Sequence, residues 1–144
     1  MKHLTKLIAA SLFLLTTINA QASLEFNTID SHELMQHLNA KKPLFLLDIQ
    51  KKKSFLLHHF FNSLETNAYP VKNDKDTGKI NKVLARLQDD TTPIIIIGPR
   101  GTRASQRAFA YLVEAGISPQ RVSILEKGIR GWPTPEILQN TAGQ

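Results

Sequence analysis

Apolar and polar positions along this chain switch between helical and strand spacing, and the switches mark out alternating strands and helices. Asp30-Ser31-His32-Glu33 sets a capping acid three residues ahead of a glutamate, and Leu34, Met35 and Leu38 then share one face. This is a short amphipathic helix opened by a capping box. Pro43 introduces Leu44 to Ile49, a near-continuous apolar run of strand length, which suits a strand covered on both faces. Phe55 to Phe61 is dense in apolar residues but too short to assign, and an irregular segment runs on to Pro70. The polar stretch Val71 to Gly78, with turn signals at Asn73-Asp74 and Thr77-Gly78, reads as a surface loop.

Ile80, Val83, Leu84 and Leu87 return to helical spacing, and Asp89-Asp90-Thr91-Thr92-Pro93 closes that helix and leads into the strand Ile94 to Ile97. From Arg103 to Ala115 the pattern is helical again. Ala104, Ala108, Tyr111 and Leu112 supply its buried face and Gly116 its stop. A last strand, Val122 to Leu125, runs into a turn through Gly128 and Gly131 to Trp132, whose large ring reads as packing. Strands alternating with helices predict an α/β fold whose central sheet is mostly parallel, with right-handed crossovers. There is no internal repeat, low-complexity tract or interdomain linker.

The first residues do not belong to that pattern. Lys2 and Lys6 precede an apolar run from Leu7 to Ile18, and Ala20-Gln21-Ala22 places small residues two apart before Ser23. This predicts a cleavable secretory signal over residues 1–22 and one domain over 23–144. A membrane anchor would need about 20 apolar residues, more than this run supplies. Export to the periplasm, or release outside the cell, and no stable membrane insertion after cleavage are the expectations. The chain has no cysteine, which excludes a thioether-linked lipid, disulfides, thiolate chemistry and cysteine metal sites. Of the formal charge of +6, Lys2 and Lys6 carry two, leaving +4 from Ser23 onward. A charge that mild, with no aromatic residues interleaved in Lys51-Lys52-Lys53, argues against a nucleic-acid partner and for a solvated turn.

Candidate chemistry concentrates after the strand Ile94 to Ile97. In an open α/β sheet ligands bind beyond the carboxyl ends of strands, near a helix N-terminus. Gly98, Pro99, Arg100, Gly101, Thr102 and Arg103 hold that place. Two glycines permit tight turns, successive N–H groups can converge on an anion, and the two arginines add charged donors. A nucleotide-binding P-loop is excluded, because the glycines are three apart and no lysine follows. Ser105 lacks the flanking glycines of a nucleophile elbow and reads as a hydroxyl on the first turn of a helix.

The same loop resembles that of the rhodanese-like domain family, in which C-x-x-G-x-R-S joins the central strand to a helix. Gly98-Pro99-Arg100-Gly101-Thr102-Arg103-Ala104 is similar at the glycine and the arginine, with glycine for cysteine and alanine for serine. Its length is that of the family's sulfurtransferases, not of the related phosphatases. Leu46-Leu47-Asp48-Ile49-Gln50 resembles the family's L-L-D-V-R strand, with Gln50 for arginine. His58-His59-Phe60-Phe61-Asn62-Ser63 resembles G-H-I-P-G-A at His59, and Leu125 to Trp132 is similar to L-E-G-G-I-x-x-W. The resemblance runs from Ile29 to Trp132 and implies a three-layer fold, a mostly parallel sheet flanked by helices.

The resemblance also implies what is missing. The family's sulfur transfer needs a thiolate that attacks and stores sulfane sulfur, and Gly98 has no side chain. The chain is therefore expected to be a noncatalytic rhodanese-like domain that takes a small oxyanion or an exported protein partner at Gly98 to Arg103. The alternative is a sulfurtransferase or redox-related enzyme that works with a partner-supplied thiol. His58 and His59 point about a hundred degrees apart on a helix, His32 and His37 are poorly spaced, and neither metal nor cofactor is expected. Asp48 is structural in the family, and Gln50 implies a hydrogen bond where the family has a charge pair.

Overall fold

The computed structural model describes residues 25–88 and 91–143. The expected signal over 1–22 and the Asp89-Asp90 pair lie outside them. Thr28–Ile29 (β1), Phe45–Asp48 (β2), Leu64–Glu65 (β3), Ile94–Ile97 (β4) and Val122–Leu125 (β5) form one five-stranded sheet in the order β1-β5-β4-β2-β3, every pairing parallel. The helices are Ser31–Asn39 (α1), Lys52–Leu57 (α2), Asp74–Gln88 (α3) and Arg103–Glu114 (α4). β4 is central, and it is four consecutive isoleucines with all four side chains buried. A strand between two neighbours and two helical layers needs apolar groups on both faces, which is why it carries no alternation.

Residue parity sorts the two layers. Ile94 and Ile96 join Leu47, Ile80, Leu87, Ala108, Phe109 and Leu112 in one core, so α3 and α4 cover that face. Ile95 and Ile97 join Leu34, Leu46, Phe60, Ile129 and Trp132 in the other, beneath α1 and the chain after β5. Trp132 is buried edge-on against Phe60, with ring centroids 4.7 Å apart, and so packs as its sequence context predicts.

Several local expectations change. The polar stretch from Val71 to Gly78 is not all loop, because α3 begins at Asp74. Asn73 acts as its cap: its Oδ1 accepts from Asp76 N at 3.1 Å, while Asp76 Oδ2 accepts from Lys72 N at 2.9 Å. The turn signal at Asn73-Asp74 is thus a helix start, since the same short polar side chains serve both uses. Gly78 is tolerated inside the helix, with open space where its side chain would be. Lys51-Lys52-Lys53 is exposed as expected, but Lys52 and Lys53 already belong to α2, and Lys52 pairs with Glu65 at 2.8 Å. The two short strands β1 and β3 have no apolar run of their own; edge position and pairing define them.

On the α4 side of the core, Ile96 is fully buried. Ile96→Ala is expected to lower stability by about 2–5 kcal/mol through lost transfer energy and the cavity left behind. Urea denaturation followed by circular dichroism would measure it.

Candidate functional site

The loop after β4 is held by backbone, not by side chains. Gly98 O accepts from Ile129 N at 2.9 Å and Pro99 O from Arg130 N at 3.2 Å. The loop's first two carbonyls therefore face the turn that follows β5. The approach is so close that a Cβ on Gly128 would overlap Gly98 O and Arg100 N, and one on Gly101 would overlap Leu125 O. Both glycines also have positive φ, 60° and 65°, which L side chains rarely adopt. Gly101 and Gly128, both noted in the sequence, thus let two turns lie directly against each other.

With its carbonyls turned away, the loop leaves its donors free. None of the backbone N–H groups from Arg100 to Ser105 bonds to a described residue. They stand at the N-terminus of α4, where the helix dipole adds partial positive charge. Arg100 and Arg103 are exposed, and neither guanidinium makes an ion pair or hydrogen bond among the described residues. Thr102, at the N-cap, makes no side-chain cap. Gly98 is buried and Pro99 half-buried. The six residues singled out in the sequence are thus one continuous turn at the carboxyl end of the central strand.

Beside this turn lies a cavity of about 230 Å³ lined by Gln50, Ser54, Leu57, His58, Ile129 and Arg130. Sequence reasoning did not assign Arg130 or His58 to the site. Arg130 is brought there because the residues either side of Gly128 must follow the loop's carbonyls, a consequence of tertiary contact that no local pattern displays.

Ser105 is the other residue that sequence reasoning placed only loosely. It sits in the first turn of α4 as expected, but it is 1 % exposed and its Oγ has no hydrogen-bond partner. A Cβ built on Gly98 would overlap that oxygen. The hydroxyl therefore fills the space in which the side chain of residue 98 would begin.

Asp48 ends β2 behind the cavity wall. Its Oδ1 accepts from Gln50 N at 2.8 Å and its Oδ2 from Gln50 Nε2 at 3.0 Å, and the same amide also donates to His58 O at 3.0 Å. The hydrogen bond expected in place of a charge pair is present. A neutral amide offsets burial less than a guanidinium would. Burial pushes the Asp48 carboxyl up to about 7, against the pull of the two Gln50 bonds and with a smaller push from the Glu65 charge. His59 serves the packing of this region, with its Nδ1 2.8 Å from Phe55 O and its ring stacked on Phe55 at 4.0 Å. No group of three or more metal-ligating side chains occurs among the described residues, and none of their helices is long and apolar enough to cross a membrane.

Residues 30–134 match the family model of the rhodanese-like domain. The chain belongs to the rhodanese-like domain family. Solved structures agree on the fold. A rhodanese-like domain from Anabaena is 21% identical, with a TM-score of 0.58 over 75% of this chain and 74% of that one. A Saccharomyces cerevisiae protein described as a homolog of single-domain rhodanese and the Cdc25 phosphatase catalytic domain has a TM-score of 0.60 at 13% identity, over 78% and 86% of the two chains. A thiosulfate sulfurtransferase from Pseudomonas aeruginosa has 0.59 at 21% identity, covering 81% of this chain but 20% of that longer one. No curated protein matches the chain by sequence. At the turn after β4 this chain carries Gly98 and no thiol, and the Ser105 hydroxyl lies where a side chain at 98 would begin.

Two outcomes follow from this geometry. Because Asp48 binds its proton more tightly folded than unfolded, its stabilising contribution is fully present below about 3.8 and is lost as pH rises through about 7. The Tm should fall between pH 5 and pH 8, and Asp48→Asn should flatten that fall in a calorimetric series. Gly98→Cys should cost about 1 kcal/mol, since Ser105 Oγ must leave its present rotamer to make room, and adding Ser105→Ala, which removes only the overlapping oxygen, should recover most of it in chemical denaturation.

Proposed function

We propose that this rhodanese-like domain is a noncatalytic binding module that works outside the cytoplasm and receives a small oxyanion at the Gly98–Arg103 loop. The observation that carries the reading is the run of N–H groups from Arg100 to Ser105, flanked by two guanidinium groups, all without a partner among the described residues, in a chain without cysteine. Such an array stabilises a compact anion through several charge-assisted bonds at once. Sulfate, thiosulfate and phosphate suit it, and so does an acidic side chain presented by an exported partner. Export itself is supported by the N-terminal pattern of Lys2, Lys6, the apolar run and Ala20-Gln21-Ala22.

A sulfurtransferase working with a borrowed thiol is the weaker reading. Sulfane sulfur must be held covalently between donor and acceptor, and this chain has no thiol to hold it. No thiosulfate-to-cyanide turnover is expected from the purified protein. Calorimetric titration with sulfate, thiosulfate and phosphate at low ionic strength tests the binding reading. One of the three is expected to bind, and Arg103→Ala should weaken it roughly tenfold, in line with the loss of one charged hydrogen bond. Absence of binding by all three would overturn the small-anion reading.

A further inference from the structure

A second candidate site lies at the other end of the sheet. The strands are parallel, so Leu44, just ahead of β2, is at the end opposite Gly98, which follows β4. There, on the α1 face, a groove of about 520 Å³ opens between the end of α1 and the turn before β3. Leu38, Leu44, Leu46 and Phe60 line its apolar part. Phe61 and Ile137 also line it and are exposed to 70% and 40%, an uncommon cost for groups of that size.

The polar lining carries one sign of charge. Lys41 and Lys42 line the groove, no acidic residue does, and neither ammonium pairs with any described residue. Both sit in the turn that ends α1, where Lys42 N donates to His37 O at 3.2 Å and Lys41 has φ of 52°. The end of α4 makes the same turn, with Ile117 N donating to Leu112 O at 3.0 Å, and places Gly116 at the positive-φ position. Glycine is the unstrained choice there. At α1 the chain instead carries a lysine at the groove's edge.

We propose that this groove binds a single-chain amphiphile with an anionic head, its alkyl chain lying along the apolar lining and its head group between Lys41 and Lys42. The volume falls in the range of small-molecule sites, and an apolar wall with a few polar groups at one margin is their usual make-up. Charge complementarity selects the occupant. A head group or side chain of positive charge would be disfavoured at the same margin.

The chain's single tryptophan gives the readout, because Trp132 packs on Phe60, which lines the groove. The probe is sodium dodecanoate, titrated below its micelle concentration into the purified protein. Saturable one-site binding is expected, with a change in Trp132 emission and an affinity that falls as salt is added. Lys41→Gln with Lys42→Gln should weaken it about tenfold and remove the salt dependence, and Phe61→Ser should weaken it several-fold. Dodecanol should bind the unmutated protein about as dodecanoate binds the double glutamine variant. All three altered residues are exposed, so unchanged thermal melts should separate lost binding from lost fold. The proposal is overturned if dodecanoate does not saturate, or if the lysine variant binds it equally well. It is also overturned if anionic vesicles bind the protein where free dodecanoate does not, or if Phe61→Ser abolishes a self-association that dodecanoate leaves untouched.

Discussion

The contact on which the carboxyl end of the sheet depends is one between two stretches of backbone. The turn after β5 lies against the loop after β4 closely enough that Gly128 has no room for a side chain, and Gly101 returns the same approach. That contact engages the carbonyls of Gly98 and Pro99 with Ile129 N and Arg130 N, while the N–H groups from Arg100 to Ser105 make no hydrogen bond among the described residues. A turn with unpaired backbone donors among the described residues is here a by-product of how two adjacent parallel strands end side by side. It also accounts for the distance in sequence between the site's parts: Gln50, Arg103 and Arg130 follow three neighbouring strands of one sheet.

The Asp48–Gln50 pair shows how a small change in composition shifts the balance of the core. A buried carboxylate beside a guanidinium is held charged by its partner; beside an amide it keeps the geometry but lacks the compensating charge. The strand end stays in place because the same amide reaches His58 O and joins the start of the next loop to β2. Position is preserved while burial, with no neighbouring cation to offset it, favours the neutral form of Asp48.

Much of the fold was legible because its signals are local. The isoleucines of β4, the Asp30 cap of α1 and the Gly116 stop of α4 each announce an element through a few residues. The order of the separate motifs made the family readable. Other features are not encoded locally. β1 and β3 exist only through their neighbours, and Asn73 offers the same residue types to a turn or a helix cap. The six loop residues were legible as the turn that leads from a buried strand to a helix, since glycines and arginines after such a strand carry their own logic. Arg130 and His58 came to line the adjoining cavity through tertiary packing, and Ser105 looked like any helical serine until the space above it could be measured.

That serine bears on what a substitution at position 98 would meet. A glycine codon can become a cysteine codon by changing one base, so a domain that had lost only its thiol would stand one step from regaining it. Here the hydroxyl of Ser105 occupies the start of the side chain that the reverting residue would need. The overlap is with the outer atom of a rotatable side chain, so a side chain at position 98 asks that this partnerless hydroxyl turn to another rotamer or give way to a smaller residue.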